Sequence, residues 1–121
     1  SEAGTTVDAQ APVATINSLP AITTNNNFTV SWVAAPDVSG IQYYDVQYRF
    51  NSGSWDLWLP QTLSTSAIFN NAADGLYAFE VRAVDNLGQV ETFTHTPEAA
   101  IIVDNEAPFV TPQFWLPLVV K

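Results

Sequence analysis

The sequence predicts an all-β fold, a two-sheet antiparallel β-sandwich of about seven strands. Aromatic and β-branched residues alternate with polar residues in short runs, and clusters of Gly, Pro, Asn and Asp separate the runs. No stretch shows the 3.6-residue period of an amphipathic helix. The chain has 121 residues, is 47% apolar and contains no Cys, so one core without disulfides is expected. Short strands with turn signals between them are typical of two packed sheets.

Seven runs fit the strand pattern. In the second run Trp32 shares a face with Phe28 and Val30, which makes Trp32 the best candidate for the centre of the core. The fourth run meets Pro60, which cannot donate to a ladder, so this strand is expected at an edge or to stop there. The seventh run is expected either to end near residue 94 or to continue to Val103. The predicted strands are 13–17, 28–33, 41–50, 55–59, 66–70, 76–84 and 89–94.

The sequence offers no catalytic constellation. Asp45, Asp56, Glu80 and Glu91 are each expected on an outward strand face, which places no pair of carboxylates for glycoside cleavage. The single histidine, His95, has no nucleophile or orienting acid at a recognisable spacing and is expected to be an ordinary surface residue. We therefore predict that the chain is not an enzyme and has no catalytic residues.

Charge excludes two classes of partner. Twelve acidic residues against three basic ones give a formal net charge of -9, so a phosphate backbone or an anionic membrane would be repelled. The longest late apolar run, residues 114–120, is far shorter than the ~20 residues of a membrane-spanning helix and contains Pro117. We expect no nucleic-acid partner and no membrane insertion.

The pattern Val-Asp-x-x-Ala-Pro occurs twice, at residues 7–12 and 103–108. A spacing of about one small domain is typical of a unit in a tandem array. The predicted organisation is an N-terminal linker at 1–11, a sandwich at 12–103, and a joint with an apolar tail at 104–121. With no Met in the sequence, a larger parent protein is expected, in which this unit is the final, C-terminal one.

The strand sequences resemble a known family. Val30-Ser31-Trp32, Tyr44-Asp45-Val46-Gln47-Tyr48-Arg49 and Tyr77-x-Phe79-x-Val81-Arg82-Ala83-x-Asp85-x-x-Gly88 are similar to fibronectin type III-like and related bacterial immunoglobulin-like domains of exported proteins. The resemblance covers roughly residues 12–103. It implies that Trp32 anchors the core and that the hydroxyl of Tyr77 ties a loop to its strand.

The resemblance also implies a role and a location. Such domains are non-catalytic structural or interaction modules of secreted or cell-surface bacterial proteins, where they act as spacer or stalk units. The alternative is a carbohydrate-binding accessory module of a secreted hydrolase. The implied partners are neighbouring domains of the parent chain and, at the cell surface, a protein or polysaccharide.

Three aromatic residues, Tyr43, Trp55 and Trp58, are the candidate ligand-binding residues. A period of two places Trp55 and Trp58 on opposite faces, so one of them is expected to be partly exposed. Exposed Trp and Tyr rings provide flat platforms for a sugar ring or a peptide. In the alternative, the exposed tryptophan covers Arg49 or Arg82 by cation stacking.

Calcium is the one ion that the sequence brings into consideration. Asp8, Asp85 and Asp104 lie at strand ends or joints, where oxygen ligands from two loops bind Ca²⁺ in other proteins. The alternative is that these residues form turns by accepting backbone N–H bonds. No EF-hand loop is present, and no cofactor is expected.

Overall fold

The computed structural model describes residues 10–105, which form eight β-strands in two sheets. The predicted β-sandwich is confirmed, with one strand more than the seven expected. Residues 10–105 contain no helix, and so none that could cross a membrane. The strands are Ala14–Ile16 (β1), Ile22–Thr23 (β2), Phe28–Ala34 (β3), Ile41–Phe50 (β4), Trp55–Thr62 (β5), Ser66–Phe69 (β6), Gly75–Asp85 (β7) and Ala99–Val103 (β8).

The two sheets have three and five strands. The smaller sheet has the order β1-β3-β6, and the larger has the order β2-β8-β7-β4-β5. All pairs are antiparallel except β2 with β8, where Ile22 lies opposite Ile102 in a parallel pair of two residues. Strand β2 was not predicted, because two residues are too few to show alternation. The long β4–β7 pair runs from Ile41 opposite Asp85 to Phe50 opposite Tyr77 and forms the centre of the larger sheet.

The core consists of the inward-facing residues of both sheets. Val30 and Trp32 are buried as predicted, and Trp32 packs edge-on against Tyr44 with 6.3 Å between ring centroids. The main aromatic cluster lies further along the sandwich, around Phe69 and Phe79, whose centroids are 5.4 Å apart. Edge-to-face ring pairs of this kind add to the stabilisation from burial alone.

Two predicted strand boundaries are wrong. Residues 89–94 form no strand and make only an isolated bridge between Val84 and Val90, so the final strand is β8 alone. Strand β5 continues through Pro60 to Thr62. It is the edge strand of the larger sheet, as expected for a strand that contains proline, because an edge position leaves one side of the backbone without a ladder partner.

Polar residues on the outer face of the larger sheet are buried, contrary to the expectation for Asp45 and Glu80, which are 5% and 2% exposed. The segment between β7 and β8 covers Glu80. Asp45 accepts the N–H bond of Gln61 at 2.7 Å and pairs with Arg82. The Glu80 carboxylate accepts N–H bonds from Thr94 and His95, at 2.7 and 3.1 Å, and Gln47 donates to it at 2.8 Å. Burial of these groups is therefore accompanied by hydrogen bonds, as burial of a charge requires.

The described chain begins and ends at opposite ends of the sandwich. At the entry end, Val13 accepts a hydrogen bond from Ala35. Ala14 lies near Ala83, close to the C-terminal end of β7, because Glu91 bonds both of their N–H groups. At the exit end, Val103 pairs with Gly75, the first residue of β7. Because β7 has 11 residues, these ends are roughly 35 Å apart.

Candidate functional site

The three aromatic residues proposed as ligand contacts do not form one platform. Trp58 packs between the sheets, with its ring centroid 5.0 Å from Phe69 and 5.8 Å from Phe79. Val46 lies opposite Leu59, and the next residue, Gln47, lies opposite Leu57. Trp58 is therefore an extra residue on β5, in a β-bulge. Trp58 and Leu59 both pack against the core as a result.

Trp55 and Tyr43 lie on the outer face but far from each other. The guanidinium carbon of Arg49 lies 5.1 Å from the centroid of the Trp55 ring, which is the cation stacking considered as the alternative. Tyr43 is half-buried opposite Val84, six residues from Arg49 along β4 and thus about 20 Å away. The opposite facing of Trp55 and Trp58 agrees with the predicted period of two.

The calcium candidates are not brought together. Asp85 is buried at the entry end, where its Oδ1 accepts the N–H bonds of Leu87 and Gln89 at 2.9 Å each. Asp104 lies at the exit end, and Asp8 lies outside the described residues. Within residues 10–105 no three His, Cys, Asp or Glu side chains are grouped to hold a metal ion. The geometry of Asp85 is that of a turn-forming aspartate.

His95 is exposed and has a positive φ of 60°. Its backbone N–H donates to Glu80, so its contribution to the fold comes from the main chain. The ring lies 6.5 Å from that of Phe93, and Phe93 in turn stacks on Arg82 at 4.6 Å. Arg82 also forms an ion pair with Asp45 at 2.9 Å. The polar residues of this face thus form a structural network beneath the segment between β7 and β8.

Glu91 and Glu98 form an unusual joint between the two sheets. Glu91 Oε1 accepts the N–H bonds of Ala14 and Ala83, at 2.9 and 3.1 Å. Glu98 Oε1 accepts those of Ile16 and Val81, both at 3.2 Å. Each carboxylate oxygen therefore accepts backbone N–H bonds that a carbonyl of a neighbouring strand would accept in a continuous sheet. The joint ties the first strand of one sheet to the central strand of the other.

Burial raises the pKa of both glutamates above the ordinary value of 4.5. Desolvation is the largest cause, and the accepted N–H bonds oppose it by favouring the charged form. The negative charge of Glu80 raises both pKa values further, and Glu91 does the same to Glu98. The joint is thus made of carboxylates that protonate more readily than exposed ones.

A cleft opens between the sheets at the exit end, and we call it the exit cleft. Its volume is about 480 Å³. This value falls within the roughly 300–1,000 Å³ typical of pockets that bind small molecules. The exit cleft combines aromatic rings with carboxylate and amide side chains. Its lining consists of Tyr48, Phe50, Asp56, Phe69, Asn70, Asn71, Ala72, Ala73 and Tyr77.

The aromatic wall of the exit cleft is held by two local features. The Tyr77 hydroxyl donates to the Ala73 carbonyl at 3.0 Å, which confirms that this tyrosine ties the preceding loop to its strand. The Phe50 ring packs on Tyr77 at 5.0 Å and approaches the backbone of Gly75. A Cβ at residue 75 would lie 2.5 Å from Phe50 Cε1, and φ there is +150°, so glycine is required for this packing.

Sequence reasoning missed the exit cleft. Asp56 was expected on an outward face, whereas it is exposed at the cleft opposite Tyr48. Asp56 lies two residues before Trp58 and on the same side of β5, so a period of two counted from the core position of Trp58 places it at the cleft. The paired asparagines at 70 and 71, six residues before the corner tyrosine Tyr77, are the one signal in the sequence that marks this loop.

The described residues define a small two-sheet β-sandwich domain. No family model matches the chain. Over 104 residues, or 86% of its length, the chain is 32% identical to chitinase A1 of Niallia circulans. The match spans 14% of that protein. It is consistent with a fibronectin type III-like domain, and the chain is therefore similar to one segment of a much longer protein.

Proposed function

We propose that this domain is a non-catalytic module of fibronectin type III type that acts as a spacer or stalk unit in a secreted or cell-surface bacterial protein. The observation that carries the proposal is the placement of Ala14 and Val103 at opposite ends of the sandwich. A domain whose chain enters at one end and leaves at the other extends an array by its own length.

Both ends of the domain are tied to the sandwich, which supports a mechanical role. At the entry end the Glu91 and Glu98 carboxylates hold β1 against β7. At the exit end the Asn105 backbone N–H donates to Asp74 at 3.0 Å, and its side chain donates to Thr24 and Asn26. Force applied to either terminus would meet several hydrogen bonds before the core opens.

Similarity to a segment of a chitinase supports an exported, multidomain context. The joint segments at 1–11 and 104–121 lie largely outside the described residues, so the tandem arrangement and the terminal position of this unit stay predictions. We propose that residues 104–121 act as a joint followed by an apolar tail.

The spacer role is tested by exchanging the domain. In the parent protein, deletion is expected to reduce performance on insoluble substrate or surface display, and replacement by an unrelated sandwich of equal length is expected to restore it. Failure of the unrelated sandwich, with recovery only by this sequence, would show that the domain acts by specific binding. Fluorophores at residues 10 and 105 supply a second readout, because a rigid spacer keeps one narrow distance between them.

A second candidate is an accessory module that binds polysaccharide beside a secreted hydrolase. The chitinase comparison favours it, and the rings of Trp55 and Tyr43 are proposed as two separate stacking contacts on the outer face. Pull-down on insoluble chitin and cellulose tests this function. Loss of binding in Trp55→Ala or Tyr43→Ala would support the outer face as the contact, and absence of binding by the unaltered protein would reject the function.

A further inference from the structure

We propose that the exit cleft binds a cationic amino sugar, a glucosamine-type unit of a polysaccharide. This inference rests on the second candidate function and names a ligand class and a site for it. The site is separate from the outer-face rings of Trp55 and Tyr43, because neither residue lines the cleft.

Phe50, Phe69 and Tyr77 form an aromatic wall on the exit cleft. Phe50 is 38% exposed although its ring packs on Tyr77, so one side of the ring faces the opening of the cleft. Phe69 lies behind it, 5.2 Å from Tyr77. A sugar ring presents C–H groups on its faces, and an aromatic wall of this kind covers such a face.

Three residues of the cleft lining carry polar groups without a partner within residues 10–105. They are Tyr48, Asp56 and Asn71, whose hydroxyl, carboxylate and side-chain amide make no hydrogen bond or ion pair there. The Tyr48 hydroxyl can donate and accept a hydrogen bond, the Asp56 carboxylate can accept, and the Asn71 amide can donate and accept. Hydroxyl groups of a sugar match such a set.

The charge of the cleft favours a cation. Both arginines of the described chain are engaged on the outer face, Arg49 on Trp55 and Arg82 with Asp45, so Asp56 has no basic side chain beside it within residues 10–105. The net charge of -9 favours a cationic ligand over long range as well. An ammonium group beside a carboxylate and near aromatic faces gains from both. An amino sugar carries an ammonium group on a ring that also has C–H faces and hydroxyl groups.

The experiment is a titration followed by ¹H–¹⁵N NMR and calorimetry at pH 6, where the amine is protonated. The probes are the tetramers of glucosamine, N-acetylglucosamine and glucose. We expect the glucosamine tetramer to shift the amides of residues 48–56 and 69–77, and to bind at least about tenfold more tightly than either neutral tetramer. Raising the salt concentration is expected to weaken it.

Two variants make the test specific. Asp56→Asn, an exposed position, is expected to weaken glucosamine binding about tenfold. Asp37→Asn at the entry end changes the net charge equally and is expected to leave binding unchanged. Melting midpoints of both variants verify that they fold. Equal binding of charged and neutral tetramers, or no effect of Asp56→Asn, would overturn the amino-sugar assignment while polysaccharide pull-down still tests the accessory function separately. No shift in the cleft with any tetramer would overturn the site itself.

Discussion

The Oε1 atom of Glu98 lies 3.2 Å from the backbone nitrogen of Ile16, a contact that joins residues 82 positions apart. The same atom accepts the N–H bond of Val81 in the other sheet. A carboxylate side chain thus completes the backbone hydrogen bonding where β8 no longer accompanies β7. The first strand depends on this contact and on the equivalent one from Glu91.

Removing the acceptor at residue 98 is expected to destabilise the domain. Glu98→Ala leaves the N–H groups of Ile16 and Val81 without a partner, at a cost of about 2 kcal/mol in the free energy of unfolding. Glu98→Gln keeps an amide oxygen at the same place and is expected to cost under about 1 kcal/mol. Urea denaturation measures both. Equal losses in the two variants would show that charge, and not the shared acceptor, holds β1.

The same joint predicts a pH dependence. Burial raises the folded-state pKa of Glu91 and Glu98 above 4.5, so the folded state binds these protons more tightly than the unfolded chain does. Their contribution to stability is therefore greatest below about pH 4.5 and decreases as pH rises through the window above it.

The double variant Glu91→Gln/Glu98→Gln isolates this contribution. Its stability relative to the unaltered protein is expected to increase as pH rises from 4 to 8, since the amides carry no charge to desolvate. Thermal or urea unfolding at a series of pH values supplies the comparison. Parallel pH profiles for the two proteins would contradict the assignment.

Glu80→Gln is expected to be more damaging than Glu98→Gln, although the chemical change is the same. Glu80 Oε1 accepts from Gln47 and His95, and Oε2 accepts from the N–H and hydroxyl of Thr94. Either orientation of an amide would point its NH₂ group at donors, costing about 2–3 kcal/mol. The two variants are compared by urea denaturation, and equal stability would rule out the four-bond geometry.

The two tryptophans of β5 are expected to differ in what they stabilise. Trp58→Ala removes a ring packed on Phe69 and Phe79 and is expected to cost about 3–5 kcal/mol. Trp55→Ala removes the stacking on Arg49 and is expected to cost about 1 kcal/mol. Equilibrium unfolding of both variants distinguishes a core ring from a surface ring. A small loss for Trp58→Ala would contradict its place in the core.

The sequence was sufficient for the sandwich, for most strands and for the inward face of β3. Trp32 could be placed in the core because alternation is a local property of the chain. The burial of Glu80 could not be predicted, since it depends on a segment that follows β7 and folds back over the sheet. The burial of Asp45 depends on its partners Gln61 and Arg82 on the neighbouring strands.

In the candidate site, too, one feature could be predicted from the sequence and another could not. The corner bond of Tyr77 was implied by the family resemblance, and the bond from its hydroxyl to the Ala73 carbonyl confirms it. The exit cleft could not be predicted from the sequence, because it joins Asp56 of one strand to a loop that lies about 15 residues later, and only the packing of the two sheets brings them together.

What the sequence by itself determined is the class of fold, because residue alternation and turn chemistry act over a few positions. Only the tertiary structure decided which polar groups are buried, what they bind and where a cleft forms. The bonds from Glu91 to Ala14 and from Glu98 to Ile16 span 77 and 82 residues. Such contacts exist only after the two sheets have come together, so no local pattern in the chain encodes them visibly.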